Sequence, residues 1–266
     1  MALRPPIINL MADAARRSAR PLLRDFGELQ QLQVSRRAPT KFVSSARNRT
    51  EDSLRRDLCR ARTDYDIAVA SVGKEKPSLI PTKRPCWLVD PLSGLDNFAH
   101  GVPHFCLSIA ALDNSGLMAS VIYDPLRDET FWAENGSGSH LDSQRLRVSA
   151  REDLYGAMLS MPATSFQKPN PQQSNTRLHD LSFNEIELRR SGSIGLDLAY
   201  VAAGRFDGCI AIDEDPITLA AGVPLVLEAG GFATAIDNTN NQPPEDDLVA
   251  ANPSIHDHLI RTLTGF

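Results

Sequence analysis

The spacing of apolar residues near the start of the chain is helical. Ile7, Leu10, Met11, Ala14 and Ala15 fall on one face, which predicts a helix over roughly 7–30. Pro21 lies inside that run, lacks the N–H the ladder needs, and predicts a kink or a split. A second helix is expected over about 50–62. Thr50 would be its N-cap, with Glu51 and Asp52 in the first turn and arginines toward the end, an order that suits the helix dipole. The pattern then changes to short β-type runs at 66–70, 86–89, 105–112, 117–123 and 129–133, separated by Pro, Gly, Asn and Asp turn signals.

The second half alternates more regularly. Strands are predicted at 157–161 and 186–190, then a helix over 194–203 with Ile194, Leu198, Val201 and Ala202 on one stripe and Gly204 closing it. A buried strand at 209–212 leads to a helix from Pro216 to about Gly230 and Gly231. Pro224, inside it, is expected to cost about 3 kcal/mol or force a kink. Strands at 232–236 and 248–250 and a terminal helix at 254–264 follow, with a polar, proline-bearing loop over 237–247. No internal repeat or low-complexity tract interrupts this order. It predicts a layered α/β (α+β) sandwich, with an N-terminal α+β half (1–150) and a C-terminal α/β half (151–266) packed closely enough to count as one domain.

Composition narrows the class without naming a function. At 266 residues, 42% hydrophobic and 23% charged, the chain matches a globular protein with a substantial core. A net charge of -5 gives no signal for direct nucleic-acid binding. The apolar run from Ile7 to Met11 is too short for a signal-peptide core, and no stretch approaches the roughly 20 residues of a membrane span. Cys59, Cys86, Cys106 and Cys209 show no CxxC spacing, so reduced thiols and a cytoplasmic location are expected.

The chemically informative stretch is Trp87-Leu-Val-Asp90-Pro-Leu92-Ser93-Gly94-Leu95-Asp96-Asn97-Phe98. It resembles the inositol monophosphatase signature, an apolar strand running into Asp-Pro-(Ile/Leu)-Asp-Gly-Thr-x-Asn-Phe. Gly192-Ser193, with Asp197-Leu-Ala-Tyr-Val-Ala-Ala-Gly-Arg-Phe-Asp-Gly208, is similar to the family's bacterial extragenic-suppressor branch. Ala220-Ala-Gly222, Glu228-Ala-Gly-Gly231 and Val249-Ala-Ala-Asn-Pro253 match later family segments, so the resemblance spans roughly 7–264 in order and spacing. It implies an αβαβα sandwich, usually a homodimer, that hydrolyses small phosphomonoesters with Mg²⁺. The metal polarises the phosphate and lowers the pKa of an attacking water, and it takes about six hard oxygen ligands at roughly 2.1 Å.

The resemblance also implies where those ligands belong, and most are missing. Arg47 stands where the family has an aspartate supporting the metal cluster, and Lys74 where it has a ligand glutamate, although Glu75 survives. Asp90 and the Leu92 carbonyl remain, but Ser93 replaces the second ligand aspartate and Leu95 the water-orienting threonine. Thr218 replaces a third carboxylate, and Ala211 the acid that contacts sugar hydroxyls. Gly94, Gly192 and Ser193 are the remaining substrate-contact positions. Arg47 and Lys74 each turn a negative charge positive, while Ser93 and Thr218 each delete one. A site so altered should not concentrate a divalent cation, and Lys74 is expected to pair with Asp90 or Glu75.

The sequence therefore predicts a family member without catalysis and without a cofactor, kept for binding or regulation. By resemblance alone, a protein partner in transcription or ribosome assembly is implied. The alternative is an active Mg²⁺-dependent inositol or sugar phosphate monoesterase with a rearranged metal site, to which Asp96, Asp213, Glu214 and Asp215 would contribute. As plain structural residues, Asp96 would instead sit in a turn, Asp215 would be an N-cap and the other two would be solvated loop acids. A further option has Arg47 and Lys74 binding a small phosphorylated ligand. His100 and His104 flank the signature and are expected to be hydrogen-bonded structural residues.

Overall fold

The structure, a computed structural model, describes residues 4–32, 40–71, 84–161, 186–237 and 247–264. Helices α1 (Pro6–Leu32) and α2 (Thr40–Ala61) open the chain. The buried stripe of α1, through Ile8, Met11, Ala15, Ala19, Leu22 and Phe26, continues on both sides of Pro21. Burial of that stripe outweighs the local cost of the proline, and the helix is not split. α2 begins ten residues before the predicted start. Thr50 is accordingly not a cap: it is buried mid-helix and its hydroxyl donates to the Ala46 carbonyl at 2.9 Å.

A seven-stranded sheet follows in chain order: β1 (Asp66–Val69), β2 (Cys86–Ser93), β3 (Cys106–Asp113), β4 (Gly116–Asp124), β5 (Glu129–Glu134), β6 (Gly138–Leu141) and β7 (Gln144–Arg145). β1 and β2 are parallel and the remaining neighbours antiparallel. A short helix, α3 (Leu95–His100), interrupts the sheet between β2 and β3. The second sheet runs β11-β12-β10-β8-β9, from β8 (Met158–Ser160), β9 (Glu187–Arg189), β10 (Gly208–Ala211), β11 (Phe232–Thr234) and β12 (Leu248–Ala251). Helices α4 (Ile194–Ala202), α5 (Pro216–Ala220) and α6 (Gly222–Glu228) lie between the sheets, and α7 (Pro253–Thr264) covers the far face.

Alternation along the strands produces these αβαβα layers. On β3, Leu107, Ile109 and Ala111 face the α1–α2 layer, whereas Cys106, Ala110 and Leu112 face the central helices. On β12, Leu248 and Ala250 face the centre, and Val249 and Ala251 face α7. The helix predicted from 216 to 231 breaks at Ala221 and restarts at Gly222. Pro224 therefore falls in the first turn of α6, where its missing N–H would have no helical partner in any case, and the expected penalty does not arise. Among the described residues no helix is long and apolar enough to cross a membrane.

Candidate functional site

The signature segment leaves the sheet through an irregularity. β2 and β3 pair in regular register up to Asp90↔Ser108 and resume, shifted, at Ser93↔Cys106, with Pro91 in the gap. A proline that cannot donate to the ladder is tolerated at such a bulge. The strand predicted at 86–89 therefore runs on through Asp90 to Ser93, and Leu95 opens α3. Gly94 makes the junction at φ 99°, and a Cβ there would lie 3.0 Å from the His104 carbonyl oxygen.

Asp90 is 5% exposed. Its Oδ1 accepts the Leu92 N–H at 3.1 Å. Burial raises its pKa, opposed by the Leu92 N–H, the Arg47 charge and the Thr218 hydroxyl, and Asp215 adds a further upward push. Ser93 is turned away from this carboxyl: its Oγ accepts the Gly195 N–H at 3.2 Å and lies 3.3 Å from the Ser193 hydroxyl, which donates to the Ser93 carbonyl at 3.1 Å. Buried Cys106 lies 3.7 Å from the same Ser193 hydroxyl, and burial pushes its thiol well above the ordinary range.

Arg47 enters from α2 and is 7% exposed. Its guanidinium donates to the Ala70 carbonyl, just past the end of β1, and to Glu51 Oε2 at 3.3 Å. Glu51 Oε1 in turn accepts Arg55 Nε at 2.9 Å. Beside them Asp215 caps α5: Oδ1 accepts the Ile217 N–H at 2.8 Å, and Oδ2 accepts the Ser71 N–H and hydroxyl at 2.7 and 2.9 Å. Ser44, Arg47, Asn48, Glu51, Arg55, Val69, Ala70, Ser71 and Leu95 line a cavity of about 350 Å³.

Gly192 and Ser193 form the approach to α4. A Cβ on Gly192, whose φ is 82°, would lie 2.9 Å from the Asn97 amide, which donates to the His104 and Ser191 carbonyls at 2.7 Å each. Asp197 in the first turn of α4 is almost fully buried. Its Oδ1 accepts the Ser191 hydroxyl, and its Oδ2 has no hydrogen-bond partner among the described residues. Burial pushes its pKa up to about 7, against the pull of the Ser191 hydroxyl. Ala211 is wholly buried on β10 in the central core. The two histidines part company. His100 Nδ1 lies 2.8 Å from the Asp96 carbonyl, whereas His104 stacks edge-on against Tyr200 and its buried Nε2 has no described hydrogen-bond partner. The hydrogen bond expected of His104 is therefore absent at Nε2 among the described residues.

The site thus gathers Arg47, Asp90, Ser93, Leu95, Asp215 and Thr218 around the ends of β1 and β2. Lys74 and Glu75, with the ion pair expected of them, lie outside the described residues. Of the acids named for a rearranged metal site, only Asp215 is shown acting on Asp90. Asp96 is exposed on α3, Asp213 is exposed at φ 62°, and Asp215 is engaged in capping. Among the described residues no three His, Cys, Asp or Glu side chains group as a metal cluster. This donor set does not fit Mg²⁺. Among the described residues, buried Asp90, an Asp215 already committed to capping, two hydroxyls and a guanidinium fall short of the charge and oxygen count of a hexacoordinate hard cation. The sequence reading assigned no part in the site to Glu51, Arg55 or Asn97. The i, i+4 series Arg47, Glu51 and Arg55 becomes visible once α2 is started at Thr40.

Comparisons with known proteins agree along the whole chain. The profile of the inositol monophosphatase family matches residues 5–265. The inositol-1-monophosphatase of Caulobacter vibrioides is 38% identical over 257 residues, covering 95% of this chain and 99% of that protein. Nus factor SuhB of Escherichia coli strain K12 is 34% identical over 253 residues, covering 94% and 92%. The crystal structure of extragenic suppressor protein suhB from Bartonella henselae superposes with a TM-score of 0.84 at 34% identity, covering 97% and 98%.

Proposed function

The chain belongs to the inositol monophosphatase family, and from that premise we propose that it uses the family scaffold without the family's magnesium-dependent hydrolysis, as a binding or regulatory protein. One observation carries the reading. The Arg47 guanidinium, held by Glu51 and the Ala70 carbonyl, is buried, and its charge favours the ionised form of Asp90. A fixed cation there supplies the counter-charge that a metal would bring, and it repels the metal itself. Leu95, which lines the same cavity as Arg47, has no group with which to orient a nucleophilic water.

A relative named for inositol-1-monophosphatase activity at 38% identity favours the second reading, a Mg²⁺-dependent phosphomonoesterase with a rearranged site. Relatives named as Nus factors support a protein partner in transcription, in keeping with a regulatory role. On the same footing we propose a homodimer, and a reducing, cytoplasmic setting supported by four free cysteines. The halves 1–150 and 151–266 are proposed to fold as one unit, since a single apolar cluster joins Leu88 and Ile122 to Leu198 and Leu248. Assaying the purified chain against a panel of phosphomonoesters with and without Mg²⁺ separates the two main readings. No metal-stimulated release of phosphate is expected. A turnover of about 1 s⁻¹ or more, within the ordinary enzymatic range, would establish the second.

A further inference from the structure

Segment 186–193 ties the edge of the second sheet to α4, and one of its bonds ends on a buried acid. Among the described residues β9 is the outermost strand of that sheet, pairs only with β8 over three residues, and exposes Glu187 and Arg189. Among the bonds that fix it, the Glu187 N–H donates to the Ala157 carbonyl at 2.8 Å, and the Met161 N–H to the Arg189 carbonyl at 2.9 Å. A short edge strand of this kind is where local opening is least costly. Past it, Gly192 bends the chain at φ 82°, and the Asn97 amide ties the Ser191 carbonyl to that of His104.

That acid is Asp197, which is 1% exposed. The Ser191 hydroxyl donates to its Oδ1. Ser160 of β8, wholly buried, lies close enough to pull on the carboxyl, yet neither its hydroxyl nor Oδ2 completes a hydrogen bond among the described residues. The other groups that face it are the Cys209 thiol of β10, which burial holds in its protonated form, and the Glu214 carboxylate, which disfavours a second negative charge. No cation acts on the carboxyl from the elements packed against α4. An ionised Asp197 would therefore be a buried charge with one completed hydrogen bond, a state that a protein avoids by keeping the proton or by admitting water. Ser160 and Cys209 sit on interior strands of the sheet, whereas Ser191 belongs to the edge segment. Lifting that segment is the route by which water reaches the carboxyl.

We infer that segment 186–193 is a proton-controlled strap: protonated Asp197 holds it closed on the second sheet and, through Asn97, on α3, and ionisation of Asp197 loosens it. The device needs no metal and operates whether or not magnesium binds elsewhere. Closed, the carboxyl keeps its proton up to about pH 7; open to water, it loses it near pH 3.9. Opening therefore releases a proton between those values, so the opening constant should rise about tenfold per pH unit up to about pH 7 and level off above it.

Amide hydrogen exchange of the full chain between about pH 5 and 8, corrected for the intrinsic pH dependence of exchange, reads this opening at the Glu187 and Met161 amides, whose bonds break when β9 lifts. Protection there should fall about a hundredfold from pH 5 to pH 7 and change little above. Low urea should leave it unaltered, as expected of a local opening, whereas the Leu107 and Ile109 amides of β3 should exchange more slowly and through urea-sensitive unfolding. Asp197→Asn, which cannot ionise, should abolish the pH dependence at Glu187 and Met161. Ser191→Ala should raise the opening constant about fivefold while keeping the slope. A wild-type protection that does not vary with pH, the same dependence in Asp197→Asn, no effect of Ser191→Ala, or exchange at these amides only through the unfolding that exposes β3 would each overturn the inference.

Discussion

Replacing Arg47 by alanine removes a buried cation from between two acceptors, and the cost follows from what its guanidinium and stem hold in place. A charge-assisted hydrogen bond to a buried carbonyl, here Ala70, is worth about 1.5–3 kcal/mol. The ion pair with Glu51 adds under about 1 kcal/mol, because Arg55 remains to hold the same carboxylate. The buried aliphatic stem adds about 1–2 kcal/mol, partly offset because a desolvated charge is also removed. The net expectation is a loss of about 3 kcal/mol. For a chain of this size that lowers the melting temperature by roughly 6–12 °C. Arg47→Lys should fall between the two, since one ammonium keeps the charge but cannot reproduce the fork that spans both acceptors. Urea unfolding of the three proteins, followed by circular dichroism, measures this directly. An alanine variant within about 0.5 kcal/mol of wild type would refute the claim that the guanidinium is a structural counter-ion.

Two other perturbations concern the neighbouring loop. Asp197 keeps its proton in the folded chain up to about pH 7, whereas an unfolded aspartate loses it near pH 3.9. Between those values the folded state binds more protons, so stability should fall as pH rises through the window, and Asp90, also raised by burial, tilts the same way. Asp197→Asn should flatten the dependence between pH 4 and 7 in chemical denaturation, and identical slopes would contradict this account. Gly192→Ala places a Cβ 2.9 Å from the Asn97 amide on a left-handed backbone, and should cost about 2 kcal/mol in urea unfolding. An unchanged midpoint would show that the Asn97 contact is loose.

The layered fold was legible because alternation and helical stripes follow directly from burial on two faces. Positions such as Leu107, Ile109 and Ala111 carry their layer in the sequence. What stayed hidden was local. Thr50 looked like a cap because the apolar residues of 40–49 are few, and packing of Phe42, Val43 and Ala46 into the layer beneath the sheet holds that segment helical. The break at Ala221, which makes Pro224 harmless, and the short α3 depend on tertiary contacts more than on propensity. At the site, the motif gave Asp90, Ser93, Leu95 and Thr218 their places, and the departures at Arg47 and Ser93 were readable as charge changes. Where those side chains point was not readable. That Ser93 turns to Ser193 and Gly195, and that Arg47 clasps Glu51, required the backbone.

The central claim is that this scaffold no longer holds magnesium. Calorimetric titration of the wild-type chain with Mg²⁺ tests it most directly, beside a variant carrying Arg47→Asp, Lys74→Glu, Ser93→Asp, Leu95→Thr and Thr218→Asp. Single reversions should do little, because ligands of one site act as a unit. Wild type should give no saturable heat, and the five-fold variant should bind Mg²⁺ and gain melting temperature with it. Saturable Mg²⁺ binding by the wild-type chain that is lost on Asp90→Asn would contradict the account.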